Sequence, residues 1–427
     1  VFIFFLLGST IIDFQLCKHF GKENPNRKKF LIGSLILNVG LLCYFKYANF
    51  FLSNLFYAGE QLGFSAISFK EILLPIGISF FTFQKISYAL DVYSGNNKKL
   101  DSFLDYLLYI IMFPQLIAGP IVRFKDVHQQ LLGFSNNPFD QKLHGLYRFI
   151  IGLSKKVFIA NTFAVVVAQI NALGIETMSS ADAWLATIAY CFQIYFDFAG
   201  YSDMAIGIGL MMGFKFPENF NFPYLSKSIT EFWKRWHMTL GLWMRDYLYI
   251  PLGGNRKSSY RTYINLGLVF LISGLWHGAN WNFLIWGAYH GCFLILERLF
   301  LSKILKKIPG FLRITYTFFV VLISWVFFSM DLDAALLFLE KMMDFSSLQL
   351  SIDISSKTLT ILIIGIICSF SAVNKPIENY ANSLPEKLAQ VGWKGSLAVF
   401  PLMLALLSMA YVWLMNAGFN PFIYYRF

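Results

Sequence analysis

The chain has 427 residues, 57% of them hydrophobic, 19% aromatic and only 14% charged, with a mean hydropathy of +0.56. Charged residues make up roughly a quarter of a soluble domain, so this composition excludes a water-soluble globule and predicts a polytopic membrane protein. The formal charge of +11 is carried by short Lys/Arg runs between apolar segments, the pattern of cytoplasmic loops, which argues against a nucleic-acid partner.

Apolar segments recur from one end of the chain to the other, which predicts a single membrane-embedded domain over residues 1–427. The sequence opens at Val1 rather than Met, so an amino-terminal portion is expected to precede it, and no signal-peptide cleavage pattern follows. Residues 1–17 predict the first span. The loop after it, residues 18–29, holds five basic residues against one acid and is expected on the cytoplasmic side. Residues 30–57 then cross outward and 74–93 return.

Residues 103–121 are long enough to cross, yet Arg123, Lys125, Arg148, Lys155 and Lys156 follow, and a full crossing would put that charge outside. Pro114 and the Gly119-Pro120 pair break helices. A re-entrant or in-plane element is therefore expected, and broken backbone at membrane depth implies a covering cavity. Spans at 157–173 and 183–213 follow, the second carrying Asp197 and Asp203, which are expected to pair with polar groups of neighbouring helices. The Pro- and Asn-rich FKFPENFNFPY after it predicts an irregular loop.

Ser228 and Glu231 have capping-box spacing, Glu231 and Arg235 are spaced for an i, i+4 ion pair, and Pro251-Leu252-Gly253-Gly254 would stop a helix. A helix over 228–249 is predicted, too charged to face lipid. Residues 262–279, 281–300, 311–329, 358–374 and 395–416 complete about eleven transmembrane or re-entrant elements, with an acidic outer segment at 331–357.

Two histidines stand out. His277 lies in apolar sequence with Ser273 and Gly274 behind it and Asn280 and Trp281 ahead. Small residues admit a neighbouring helix or a thin substrate, and Ser273 or Asn280 could set the imidazole tautomer. His277 is either a functional base or a structural histidine at a turn between spans. His237 sits in a charge cluster beside Arg235, and His290 is expected to pack. Helix order places His237 near the cytoplasmic rim and His277 toward the outer half. The five cysteines fall singly, with no CxxC and no metal-ligand spacing to His, and neither a phosphate-binding loop nor a GxSxG elbow is present.

Five ordered blocks carry a family resemblance: LPIGISFFTFQKISYALDVYSG (74–95), FPQLIAGPIVRF (113–124), YFDFAGYSDMAIGIGLMMGFKFPENFNFPY (195–224), FWKRWHMTLGLWMRDYLYIPLGGNR (232–256) and GLWHGANWNFLIWGAYHG (274–291). They resemble the membrane-bound O-acyltransferases, and within them the bacterial polysaccharide O-acetyltransferases typified by the membrane subunit of alginate acetylation. The resemblance implies an all-α fold with a central tunnel, His277 as the family's active-site histidine at the point where the tunnel meets an outer funnel, and His237 as the second family histidine. It implies an acyl thioester donor, usually acetyl-CoA, with no bound cofactor. The acetyl group would pass outward to a polysaccharide, commonly through a periplasmic or extracellular esterase-like partner, and the protein would sit in the bacterial inner membrane.

The residues agree with that implication in three respects. Arg235, Arg245, Arg256 and Lys257 could steer a polyanionic donor, the broken elements could line a cavity, and a lone imidazole at depth suits a general base for an acceptor hydroxyl; Trp276, Trp281 and Trp286 could in addition exclude water from a thioester. The rival expectations are D-alanyl transfer to teichoic acid from a carrier-protein thioester, a non-enzymatic glycan conduit, and lipid or protein acylation.

Overall fold

In the computed structural model the described residues are 2–64, 69–116, 119–133, 138–372, 374–391, 393–416 and 421–423. The regular elements among them are all helical. The chain divides into two compact units, residues 1–135 with 278–280, and residues 136–277 with 281–427.

The first unit is built from α1 (Phe2–Lys18), α2 (Arg27–Gln61), α3 (Ile78–Ser94), α4 (Phe103–Ile111) and α5 (Phe124–Leu132). Its interior contains charge that hydropathy passes over. Asp13 of α1 is fully buried and accepts hydrogen bonds from Ser34 Oγ at 2.5 Å, from Asn38 Nδ2 at 2.8 Å and from the Tyr106 hydroxyl. Lys85 of α3, equally buried, donates to Ser9 Oγ at 2.8 Å. A buried charge is tolerated only when it is hydrogen-bonded or paired, so these bonds tie α1, α2, α3 and α4 together.

The stretch 103–121 is broken as expected. Ser102 caps α4 by accepting from the Leu104 and Asp105 amides. The helix ends at Ile111, and a one-turn helix follows at Phe113–Leu116. Nine residues rise only about 14 Å, less than half a hydrocarbon core, so α4 alone does not cross. Residues 117–118 lie outside the described residues, and Gly119 beyond them has a φ of +103°.

The second unit holds the remaining long helices. α6 runs unbroken over Phe139–Asn171, which corrects the expectation of a basic loop before a span at 157. Its partner is α7 (Ser180–Met211). The two meet through paired glycines. A Cβ on Gly152 would lie 2.6 Å from the Gly200 carbonyl oxygen, and one on Gly145 would lie 2.5 Å from that of Gly207.

Along the same crossing Arg148 pairs with Asp203 at 2.9 Å, Lys155 with Asp203 at 2.6 Å, and Lys156 with Asp197. Asp197 and Asp203 thus pair as expected, but with basic residues that were expected to mark the cytoplasmic side. A π-helical turn at Lys155–Ala160 falls where the two lysines meet α7.

The unit continues with α8 (Met238–Met244), α9 (Ser259–His277), α10 (Trp281–Leu305), α11 (Gly310–Ser329), α12 (Leu332–Met343), α13 (Ser356–Phe370), α14 (Lys375–Ala389) and α15 (Trp393–Asn416). α9 and α10 pack backbone to backbone at Gly274 and Gly287, whose α-carbons are close enough that a Cβ on either would meet the other at 3.3 Å.

Among the described residues, five helical stretches are long and apolar enough to cross a membrane: α2, α6, α10, α11 and Leu397–Asn416 of α15. α13 and α14, bent by 114°, make a sixth if counted as one broken span. That is fewer than the eleven elements expected. α1 and α3, at 17 residues each, rise only ~25 Å, and α7 carries Asp197 and Asp203 in mid-helix.

Candidate functional site

The predicted helix over 228–249 is not continuous. Ser228 Oγ accepts from the Glu231 amide at 3.0 Å, but the Glu231 carboxylate takes the Lys227 N–H at 3.0 Å instead of closing the capping box. One turn of helix forms at Ile229–Phe232 and ends. Its amino end is held by Glu297 of α10, which accepts from the Ile229 amide at 2.6 Å, the Thr230 amide at 2.9 Å and Thr230 Oγ1 at 2.7 Å. A buried carboxylate there satisfies N–H groups that have no partner within the helix and meets the positive end of its dipole.

The chain leaves helical geometry through Trp233–Arg235 and turns at His237, whose φ of +44° is left-handed. α8 begins directly after it and continues through a π-helical turn at Arg245–Tyr249, and the helix stops, as expected, before Gly253 and Gly254, both with positive φ. A non-glycine residue held left-handed is strained, and such strain gathers at functional sites.

This break brings the two histidines together. His237 is 1% exposed and His277 5% exposed, and their ring centroids are 6.5 Å apart, not separated between rim and outer half as helix order implied. Trp276 lies 5.0 Å from the His277 ring and 6.1 Å from that of His237. Trp286 and Phe328 close His277 at 5.0 and 5.3 Å, and Phe198 closes His237 at 4.7 Å.

A third imidazole, His290, is fully buried 5.1 Å from Trp286 and accepts on Nδ1 from Trp233 Nε1 at 3.4 Å. His237 Nδ1 is 3.0 Å from Asn219 Oδ1. Within this cage His237 Nε2, His290 Nε2 and Trp286 Nε1 have no hydrogen-bond partner among the described residues. Buried polar atoms are nearly always satisfied, so these are the places where a substrate would be met.

The other expected site residues divide. Trp276 and Ser273 are buried on α9 with His277. Trp281 is 52% exposed and does not join the water-excluding cluster, because it opens α10 at the helix end. Trp276 and Trp286 line His277 as expected, and Trp233, Trp236 and Trp325 extend that wall, with Trp325 5.0 Å from Trp236 and 6.2 Å from Trp286. Asn280 lies in the turn between α9 and α10.

Arg235 is engaged by Glu231 at 3.0 Å, Glu378 at 3.3 Å and the Asn221 carbonyl at 3.1 Å, so its charge is largely neutralised inside the protein. Arg245 is exposed beside Asp246 at 2.7 Å, and Arg256 and Lys257 are exposed. Asn219, Glu297 and Glu378 were not singled out from sequence. Asn219 offered only the irregular FPENFNFPY composition as a signal.

Two cavities lie near the cage. One, of 570 Å³, is lined by Thr187, Tyr190, Gln193, Trp325, Ser329 and Phe338 among others, so Trp325 forms part of both the cage wall and the cavity. The other, of 270 Å³, is lined by Arg148, Lys155, Ser202, Asp203, Glu218 and Asn219, and so reaches the hydrogen-bond partner of His237.

The membrane-bound O-acyltransferase family model matches residues 34–338. The chain is 44% identical over 368 residues to the probable alginate O-acetylase of Pseudomonas aeruginosa, covering 85% of this chain and 70% of that one. It is 40% identical over 385 residues to the peptidoglycan O-acetyltransferase of Helicobacter pylori, covering 81% and 71%. To the teichoic acid D-alanyltransferase of Bacillus subtilis it is 30% identical over 275 residues, covering 60% and 68%. The all-helical, span-rich architecture, the paired buried histidines and these matches converge on one statement: the chain is a multi-pass member of the membrane-bound O-acyltransferase family, and an acyltransferase.

Proposed function

We propose that this acyltransferase takes an acetyl group from acetyl-CoA on the cytoplasmic side of the bacterial inner membrane and delivers it for O-acetylation of an exported or cell-wall polysaccharide. The chain works as a single membrane-embedded domain with a central tunnel, and a periplasmic or extracellular esterase-like subunit completes delivery to the glycan. The observation that carries the mechanism is the pair of buried imidazoles, 6.5 Å apart inside an aromatic cage.

In this mechanism His277 is the general base. It takes the proton of an acceptor hydroxyl as the oxygen attacks the thioester carbonyl; the C–S bond breaks, and the proton passes from His277 to the leaving thiolate. A positioned base of this kind contributes roughly 10²- to 10⁴-fold. His237, across the cage, orients the donor. The wall of Trp276 and Trp286 keeps bulk water from the thioester. The two cavities, one against Trp325 and one against Asn219, support the reading of a passage on either side of the cage.

The relatives at 44% and 40% identity favour acetyl over D-alanyl transfer, since the D-alanyltransferase relative is at 30% over a smaller share of the chain. His277→Ala at matched expression is expected to reduce acetyl ester on the cell's glycan by about 10²-fold or more. Wild-type acetylation in that variant would end the assignment of His277 as base. Cleavage of acetyl-CoA by the purified protein in detergent separates this donor from a carrier-protein thioester.

A further inference from the structure

The surroundings of His237 carry more than its position. Asn219 Oδ1, 3.0 Å from His237 Nδ1, also receives the Thr239 hydroxyl at 2.8 Å and the Thr239 backbone N–H at 3.4 Å. A backbone N–H can only donate, so the amide atom facing this cluster is the oxygen. The Asn219 amide nitrogen then donates to Ser202 Oγ at 3.0 Å. Facing an acceptor, His237 Nδ1 must carry a hydrogen, and a neutral imidazole has one N–H. Nε2 therefore holds the lone pair, and it has no partner among the described residues.

We infer that Asn219 is a positioning residue: it locks His237 in the Nδ1–H tautomer and leaves Nε2 as a hydrogen-bond and proton acceptor inside the cage. The inference rests on the acyl-transfer reading only for what Nε2 does, not for the tautomer. The backbone joins in, since the Met238 amide donates to the Asn219 carbonyl at 2.9 Å and the Asn221 amide to the Arg235 carbonyl at 2.9 Å. The loop 219–221 thus grips the chain on both sides of left-handed His237. Asn219, Thr239, Ser202 and His237 are each at most 2% exposed, so bulk water does not compete for these bonds. The tautomer of a histidine is set by the bond its other nitrogen makes.

The consequence for chemistry is directional. The donor-orienting histidine presents an acceptor, so it suits a substrate group that brings a hydrogen: an amide N–H of the donor's pantetheine arm, the hydroxyl to be acylated, or a thiol at departure. The groups facing His237 are Phe198 from α7, Trp276 and His277 from α9, and the Asn219 loop. His277 is the titratable one, and Arg235, two residues earlier, is taken up by Glu231 and Glu378.

The test uses the full chain in detergent with ¹⁵N-labelled histidine, His237 being identified by its loss in His237→Gln. The wild type is expected to show protonated Nδ1 and bare Nε2. Asn219→Leu, which removes the acceptor, should shift His237 to the other tautomer or a mixture, whereas Asn219→Asp and Thr239→Val should keep the wild-type pattern. An unchanged tautomer in Asn219→Leu would overturn the inference.

Turnover supplies a second readout. Asn219→Leu is expected to lower kcat about 10- to 100-fold with little change in KM for the thioester. Asn219→Asp should retain more activity, with the acid limb of its pH profile moved to higher pH, because a carboxylate beside the ring favours the imidazolium. Should Asn219→Leu fail to fold, an acid limb unmoved in Asn219→Asp would equally overturn the inference. If the tautomer changes in Asn219→Leu while turnover does not, the tautomer assignment stands and the acyl-transfer role of His237 falls.

Discussion

Trp286 touches His277 at 5.0 Å and His290 at 5.1 Å and is 1% exposed, so it is the side chain whose loss would most directly open the cage. Trp286→Leu leaves a gap beside His277, where the proposed mechanism puts the reacting carbonyl, without removing an ionisable group. In proteoliposomes the ratio of acetyl transfer to thioester hydrolysis is expected to fall about tenfold, equivalent to ~1.4 kcal/mol of differential barrier, and an unchanged ratio would deny Trp286 a role in excluding water.

At this scale the two histidines were legible because an imidazole in apolar sequence is conspicuous on chemistry alone. Their partners were not. Asn219 is 18 residues from His237 in a loop with no periodicity, and Glu378, which neutralises Arg235, is 143 residues away. The i, i+4 pairing of Arg235 with Glu231 was legible and is present, but without Glu378 in view Arg235 still read as a cation that could steer a polyanion, although its charge is spent internally. Trp281 misled for a related reason: it shares the spacing of its buried neighbours but opens a helix and points outward.

Among the elements, helices that meet through glycine allow a controlled comparison. A Cβ at Gly152 of α6 would lie 2.6 Å from the Gly200 oxygen and 2.8 Å from the Met204 nitrogen, whereas one at Gly267 of α9 meets nothing within 4 Å. Gly152→Ala is expected to cost about 1–3 kcal/mol through forced separation of α6 and α7, and Gly267→Ala to gain about 0.5–1 kcal/mol from helix propensity. Opposite shifts of the thermal midpoint in detergent would bear this out, and equal shifts would not.

The locations of most helices were legible from apolar length. The break at 233–237 was not, because its cause is not local: the stretch 228–249 contains no proline and a lone glycine at 241. Glu297 from α10 holds the amino end of the first turn, and Asn219 holds the left-handed residue after it. The union of 139–156 with 157–171 into one helix was missed because Arg148, Lys155 and Lys156 read as loop charge. Their counter-ions Asp197 and Asp203 were recorded as acids in need of partners, but hydropathy does not pair one segment with another.

Across the whole molecule, contacts distant in sequence secure the acidic segment 331–357. Asp182, at the end of α7 beyond its apolar stretch, caps that helix with Ser179 and accepts from the Ser351 amide at 2.9 Å and hydroxyl at 2.7 Å. Burial alone would raise its pKa, but the hydrogen bonds from Ser351 and Ser179 outweigh it and hold the carboxyl below its ordinary value. A lowered folded pKa contributes stability that is complete above the unfolded value, about 3.9 for Asp, and is lost as pH falls through the folded value. Asp182→Asn is expected to cost about 1–2 kcal/mol at neutral pH and to flatten the decline of unfolding midpoint below pH 4. A mutant whose acid decline is as steep as the wild type's would place that decline on other groups.

The α9–α10 hairpin bears on rates as well as on packing. Gly274 and Gly287 leave no side chain between the two backbones, and His277 stands three residues after Gly274 on α9. Rotation or sliding of one helix against the other would drive carbonyl oxygens into α-carbons, so the imidazole sits on a stiff base. A proton acceptor on a stiff base, among fixed aromatic dipoles instead of mobile water, has little nuclear rearrangement to make when charge appears on it. In the proposed mechanism, the packing at the two glycines thus lowers the reorganisation energy that mobile water would demand during proton transfer to His277.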